Sequence, residues 1–139
     1  MPNTSIVNAR TRSVAVHCIT DATDFKIYTC PANCKTHISL LFITNAGTAA
    51  SDVTVDWLMK ARNLPTSTSD TPVTDELVHI VGGKNLHVGE FIQFDGGAFI
   101  VLEPGDYLQA KADNTSGSAT PDVDVFITYE EFFFSAGVL

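Results

Sequence analysis

Two cysteines and a histidine lie close together in a pattern that could hold a metal ion. Cys30 and Cys34 follow the spacing Cys-x-x-x-Cys, and His37 comes shortly after them. A structural zinc site generally takes four ligands, usually as two closely spaced pairs, and only one such pair is present. The further candidates, His17 and Cys18, are distant in sequence. We therefore interpret the segment as a turn between strands whose sulfurs are small apolar fillers, and expect no metal or other cofactor.

The residues that could act in catalysis do not form a known motif. The four histidines are His17, His37, His79 and His87, and each lies in a predicted strand. No serine or cysteine stands beside them in an arrangement such as Gly-x-Ser-x-Gly. Glu130 and Glu131 are adjacent on a predicted strand, so they point to opposite faces and cannot form the facing pair of a glycosidase. We expect no catalytic residue and no enzymatic activity.

One polar segment superficially resembles a calcium-binding loop. Residues 113–118 read Asp-Asn-Thr-Ser-Gly-Ser. Thr115 and Gly117 occupy positions where the calcium loop needs ligands, and its glycine is misplaced. We interpret the segment as part of a solvated loop spanning residues 113–121, the second such loop after residues 65–74.

The size and charge of the chain limit its partners. Its 139 residues, 45% of them hydrophobic, are enough for one domain with its own core, covering residues 1–139. Sixteen acidic against eight basic residues give a net charge of −8, which disfavours direct binding to nucleic acid or an anionic membrane. No apolar stretch is long enough to span a bilayer. The first residues do not resemble a signal peptide, so reduced cysteines are expected.

The dominant pattern is alternation of apolar and polar residues with period two, which is typical of half-buried strands. In residues 52–59, Val53, Val55 and Trp57 share one face while Asp52 and Asp56 share the other. Strands are predicted at residues 12–20, 25–29, 36–44, 52–59, 77–81, 86–94, 98–102, 107–112 and 122–129. Turn signals rich in Gly, Asn, Asp and Pro lie between them, including Gly82-Gly83, Asp95-Gly96-Gly97 and Pro104-Gly105-Asp106.

About eight or nine short strands without helical periodicity predict an all-β fold, an antiparallel β-sandwich of the jelly-roll or immunoglobulin-like type. Residues 1–11 are polar and are predicted to form an N-terminal arm. Phe91 and Phe99 lie on the two strands that flank Asp95-Gly96-Gly97, a candidate hairpin tip. Whether these phenylalanines are covered by loops or by another subunit is left open by the sequence.

The alternation fails at the C-terminal end, where Phe132 and Phe134 fall on the face that Asp122 and Asp124 mark as wet. An apolar tail, residues 132–139, would be a liability on a monomer. We therefore predict burial against another subunit, the alternative being a bulge that folds the tail over the chain's own core. The predicted interface comprises Phe132, Phe134, Val138, Leu139, Ile6 and Val7.

A series of turns and strands in this chain resembles small virion structural proteins of tailed bacteriophages, many from phages of cyanobacteria and other marine bacteria. The shared features are a Pro-Ala-Asn turn at residues 31–33, a strand ending in Asn45, a Val-Thr-Val strand at residues 53–55, a Gly-Asp turn at residues 105–106 and a closing strand ending in Glu131. The similarity covers roughly residues 25 to 131. The chain departs from the pattern at residues 60–74 and at its phenylalanine-rich tail.

The resemblance implies a virion component assembled in the cytoplasm of a bacterial host. A head decoration (cement) protein, bound as a homo-oligomer to the major capsid protein or other virion proteins, is the leading hypothesis. A neck or tail ring component is the alternative within the same class. A third possibility, from the residues alone, is a carbohydrate-binding module that presents Trp57, Tyr28 and Tyr107.

Overall fold

The regular structure in the described part of the chain is all β-strand. The computed structural model describes residues 6–60, 75–114 and 120–134, and within these ranges no helix that could cross a membrane occurs. The eight strands are β1 (Ile6–Cys18), β2 (Phe25–Thr29), β3 (Cys34–Asn45), β4 (Ser51–Met59), β5 (Glu76–Leu86), β6 (Phe91–Leu102), β7 (Tyr107–Asn114) and β8 (Val123–Phe134).

The strands form two antiparallel sheets of four, in the orders β1-β8-β3-β6 and β2-β7-β4-β5. The pairs β1–β8, β2–β7, β3–β6 and β4–β5 are nested, as in one long hairpin, and β3–β8 and β4–β7 contacts complete the two sheets. Rolling such a hairpin into two facing sheets produces a jelly roll. The sequence prediction of an antiparallel sandwich is confirmed, and the strand order selects the jelly-roll alternative over the immunoglobulin-like one.

The core lies between the two sheets. It contains every second residue along much of the inner strands, together with residues of the edge strands such as Leu86 and Leu102. In β8, Val123, Val125, Ile127 and Tyr129 are buried, while the residues between them are half-buried on the outer face. Strand β7 shows the same alternation, with Leu108 among its buried residues. Both β7 and β8 are paired with a strand on each side. Period-two burial thus places one set of side chains in the core and the other on the outer face of each sheet.

Two glycine signals that predict turns lie instead inside strands. Gly82 and Gly83 belong to β5, where the register with β4 shifts and Gly83 has φ of 65°. Gly96, with φ of 140°, lies in an irregular stretch of β6 where the register with β3 also shifts. Glycine permits a positive φ in a β-bulge as readily as in a turn, so the pattern alone does not separate the two. The actual reversal between β5 and β6 lies at residues 87–90, inside a predicted strand.

The predicted ends of the domain differ from the structure. Residues 6–11, expected in an arm, form the first half of β1 and pair with the end of β8. Residues 132–134, which were expected in a separate tail, likewise belong to β8. Cross-strand hydrogen bonding along this long β1–β8 ladder supplies the physical reason. Residues 1–5 of the predicted arm lie outside the described residues, as do residues 61–74, 115–119 and 135–139, which include the predicted interface residues Val138 and Leu139.

The turn between β6 and β7 is held by a buried carboxylate. Asp106 is fully buried and accepts hydrogen bonds from the Trp57 indole nitrogen at 3.3 Å, the Lys60 amide at 3.0 Å and the Glu103 amide at 3.1 Å. Because a buried carboxylate is tolerated only when its oxygens are satisfied, these bonds fix the turn against the end of β4. The Pro-Gly-Asp sequence signal therefore reflects an anchor as well as a turn.

A second buried carboxylate links the two sheets. Glu131, 2% exposed, lies on the inner face of β8. The Arg10 Nε of β1 donates to its Oε1 at 2.6 Å, and the Tyr28 hydroxyl of β2 donates to its Oε2 at 2.5 Å. The Arg10 guanidinium also lies 4.9 Å above the centre of the Phe133 ring. One carboxylate thereby fixes the edge strand β1 beside β8 and joins β8 to the opposite sheet.

Replacing this carboxylate should weaken the fold. Because Glu131→Ala leaves the Tyr28 hydroxyl and the Arg10 guanidinium without their acceptor, we expect the free energy of unfolding to fall by about 3 kcal/mol. Urea denaturation measures the change. The matched control is Glu130→Ala, an exposed neighbour, for which a change within about 0.5 kcal/mol is expected. Equal losses in the two variants would contradict a stabilising role for the buried carboxylate.

Candidate interaction surface

The cysteines considered as metal ligands are packed in the core. Cys30 and Cys34 flank the turn between β2 and β3, and both are buried. The Thr36 hydroxyl lies 3.3 Å from the Cys30 sulfur and 3.7 Å from that of Cys34. Across residues 6–60, 75–114 and 120–134, no three His, Cys, Asp or Glu side chains are grouped as metal ligands. The predicted turn between strands is observed at this position.

Burial also makes the thiols poor nucleophiles. It raises the pKa of Cys18 to about 11 and that of Cys30 to about 12, and it raises the pKa of Cys34 as well. The thiolate is the reactive form of cysteine, so at neutral pH these groups are held as thiols. All three cysteines are free in the structure.

The histidines lie on the outside of the sandwich, and three of them contact carboxylates. His17 lies 2.5 Å from Asp124 across the β1–β8 pair, and His79 of β5 contacts the buried Asp56 of β4. His37 packs instead against the Phe132 ring. His87 lies in the turn between β5 and β6, rather than in a strand, and contacts Glu90 at 3.1 Å. The histidines thus make separate local contacts and are not collected into one site.

The aromatic residues considered for carbohydrate binding have other contacts. Trp57 packs against the core and donates its indole N–H to Asp106. Tyr28 points into the sandwich, where burial and the neighbouring Glu131 raise the pKa of its hydroxyl. Tyr107 has Lys26 4.3 Å above its ring. The residues are spread between inner and outer positions and do not form one platform.

The outer face of the β1-β8-β3-β6 sheet, which we term the aromatic face, carries a row of phenylalanines, of which Phe42 and Phe126 are half-buried and Phe91 is exposed. Phe126 of β8 is directly opposite Phe42 of β3, with ring centres 5.0 Å apart. Phe91 of β6 stacks on the other side of Phe42 at 5.4 Å. Phe91 is 62% exposed, the largest exposure among the large apolar residues in the described part of the chain. The row crosses three strands and is continued on β1 by Ala15, the partner of Phe126.

The rest of the aromatic face contains few charges. Below the phenylalanine row, Ser13, Thr128, Leu40 and Asp95 lie at matching register positions. The next row carries Thr11, Glu130, His37 and Val101, and the last carries Ala9, Phe132 and Lys35. An outer sheet face exposed to water normally carries polar residues. A centre with aromatic residues and few charges is instead typical of a protein interface.

The predicted interface residues fall on the lower end of the same sheet. Phe132 lies on the aromatic face, half-buried, with its ring centre 4.7 Å from that of His37. Phe134 is half-buried and its amide donates to the Asn33 carbonyl at 2.8 Å. Ile6 pairs with Phe134 in the ladder, and Val7 follows it in β1. The structure thus brings four predicted residues to one sheet end, and their role in an interface stays a prediction.

Sequence reasoning missed Phe42 and Phe126, although a signal for both was present. Residues 38–43 read Ile-Ser-Leu-Leu-Phe-Ile and residues 125–127 read Val-Phe-Ile, so apolar residues occupy both parities of the strands. Such runs are typical of strands covered on two faces. Phe91, singled out from the sequence, does belong to the row, whereas Phe99 contacts Phe94 in the irregular stretch of β6.

Comparisons with known proteins identify related folds only. No protein-family model matches the sequence, and no curated protein matches it significantly. A chain in the structure of infectious bursal disease virus, Gx strain, is similar with a TM-score of 0.52 and 9% identity, over 96% of this chain and 34% of the viral chain. A chain of T=1 particles derived from infectious bursal virus gives a TM-score of 0.51 and 7% identity, over the same shares.

A weaker likeness links the chain to disulfide-linked pili of Bacillus endospore appendages, with a TM-score of 0.41 and 12% identity, over 91% of this chain and 89% of the pilus chain. The present chain spans about a third of the length of the viral chains it matches. At these identities the viral similarities show a shared sandwich fold.

The His17–Asp124 contact should make β1 pairing depend on pH. The hydrogen bond to Asp124 raises the pKa of His17 above 6.5. A raised folded-state pKa contributes stability that is fully present below the unfolded pKa and is lost as the pH rises through the folded value. Asp124→Asn should therefore lower the pKa of His17 towards 6.5 and remove this part of the pH dependence.

NMR titration of the His17 ring measures this pKa, with Asp52→Asn on the opposite sheet as the control. An unchanged His17 pKa in Asp124→Asn would contradict the assignment.

The cysteines should be unreactive in the folded protein. Because all three are buried and the pKa of each is raised, we expect no reaction with an aromatic disulfide reagent at pH 7 and release of three equivalents after unfolding in urea. Absorbance of the released thiolate measures both. Rapid labelling of one cysteine in the folded protein would show that a thiol is accessible.

Proposed function

We propose that this chain is a non-enzymatic structural protein of a virus particle, specifically a head decoration (cement) protein of a tailed phage. In this proposal it binds the major capsid protein lattice as a homo-oligomer and stabilises it. The observation that carries the proposal is the stacked phenylalanine row on the aromatic face, formed by the half-buried Phe42 and Phe126 and the exposed Phe91. An apolar patch on a sheet face that would otherwise be wet is typical of a protein interaction site.

Two further observations support a particle protein. The fold is shared with chains from a virus and from virus-derived particles. The ordered series of turns and strands between residues 25 and 131 also resembles virion proteins of tailed phages. Neither observation alone specifies a function, because one sandwich fold serves many roles. Together with the aromatic face they favour a role in assembly.

The predicted interface residues extend the proposed contact. Ile6, Val7, Phe132 and Phe134 lie at the lower end of the sheet that carries the phenylalanine row. In the proposal, this end and the row form one continuous binding surface, to which Val138 and Leu139 of the tail are added. A long surface along one sheet suits a subunit that bridges neighbouring proteins of a lattice.

Removing one aromatic ring should reduce attachment to particles. Phe91→Ser should lower the affinity for particles roughly tenfold or more, because truncating an aromatic residue that is buried on binding commonly has an effect of this size. The ring is mostly exposed, so the fold should be retained. Quantitative mass spectrometry of purified particles gives the occupancy.

The matched control is Leu77→Ser, an exposed apolar residue on β5 of the opposite sheet, which should keep wild-type occupancy. Imaging of the particles gives the position. Many copies over the head lattice are expected, whereas a single ring at one vertex would identify a neck or tail component instead. Full occupancy of the Phe91→Ser protein would contradict binding through the aromatic face.

A further inference from the structure

The charged side chains of the aromatic face differ in whether an oppositely charged partner lies beside them. Among the described residues of this face, His17 is paired with Asp124 at 2.5 Å and Lys35 with Glu103 at 3.6 Å, while the remaining basic side chain, His37, packs against the Phe132 ring. Asp95 accepts a hydrogen bond from a neutral donor, the Gln93 amide at 3.0 Å, and has no cationic side chain of the described residues at ion-pair distance. For Glu130, no cationic side chain within the described ranges lies at ion-pair distance.

Both of these carboxylates adjoin the apolar part of the face. Asp95 is directly opposite Leu40, which lies one row below Phe42. Glu130 is opposite His37 in the next row, and its neighbours on β8 along the same face are Thr128 and Phe132. A partner that covers the phenylalanine row therefore reaches both carboxylates and removes water from them. A desolvated carboxylate without a cation is strongly unfavourable, so the partner has to supply the positive charge.

A second copy of this chain does not meet this requirement. An isologous contact presents the same surface from both sides, so Asp95 and Glu130 of one copy would meet a face on which His17 and Lys35 are already paired. The chain as a whole carries a net charge of −8, which adds long-range repulsion between copies. The subunits of a homo-oligomer would therefore meet through other surfaces.

We infer that the aromatic face binds a different protein whose surface is apolar at the centre and carries arginine or lysine side chains opposite Glu130 and Asp95. This inference rests on the proposed function, since it takes the partner to be another protein of the particle. Arginine suits the site best. Its planar guanidinium donates two hydrogen bonds to one carboxylate and can also stack on an aromatic ring such as Phe91.

The inference is tested by releasing the chain from purified particles with increasing NaCl. Salt weakens the attraction between oppositely charged groups of two proteins, so wild-type protein should be released over a defined range of NaCl concentration. Glu130→Gln and Asp95→Asn should each shift the release midpoint to lower NaCl, and Glu130→Lys should lower occupancy at least tenfold. The matched control, Glu76→Gln, changes an exposed acid on β5 of the opposite sheet and should leave the midpoint unchanged.

The outcomes separate the inference from the proposed function. Wild-type protein that is absent from purified particles would overturn the proposed function, and with it a particle protein as the partner. If wild-type protein is present but Glu130→Gln, Asp95→Asn and Glu130→Lys all behave like wild type, the inference is wrong while the proposed function stands. A purified homodimer that is lost in Phe91→Ser and kept in Glu130→Gln would identify a second copy as the occupant and also overturn the inference.

Discussion

The hydrogen-bond partners that one buried carboxylate requires constrain much of this sandwich. Glu131 lies inside the core, where an ionised group is tolerated only with close partners, and it finds them on a neighbouring strand and on the opposite sheet. Arg10 lies directly opposite Glu131 in the observed register, so their contact favours this pairing of β1 with β8. The same register places Ala9, Ala15 and His17 on the outer face beside Phe132, Phe126 and Asp124. An internal polar contact therefore helps determine the layout of the external surface.

Strands β3 and β8 are the elements on which both the core and the aromatic face depend. Each is paired on both sides, and each carries large apolar residues on two faces. Their inner residues, such as Ile43 and Val125, fill the space between the sheets, while Phe42 and Phe126 remain outside. A sandwich with only two layers covers one face of each sheet. Within residues 6–60, 75–114 and 120–134, no further layer of the chain lies over the outer aromatic residues, and a partner is therefore proposed.

The charge arrangement on the aromatic face gives the proposed interaction its direction. Pairing of His17 and Lys35 with local carboxylates removes the cations that a second copy could have used. Aromatic contact area provides affinity that tolerates different partners, whereas the positions of Asp95 and Glu130 select a partner of complementary charge. In the proposal, the acidic character of the chain makes the interaction selective for a basic partner, and the apolar row provides the affinity.

The sequence by itself determined the all-β class and the positions of strands such as β2, β4 and β7, because alternation with period two is a local property. It also identified the turns at Cys30–Cys34 and Pro104–Asp106 and the break in alternation near Phe132. Tertiary structure decided that Gly82-Gly83 and Gly96 lie in irregular strands and that residues 6–11 pair with β8, since cross-strand pairing involves residues far apart in sequence. The stacking of Phe91, Phe42 and Phe126 likewise required the strand order and register, because residues that are neighbours across a sheet can lie far apart in the sequence.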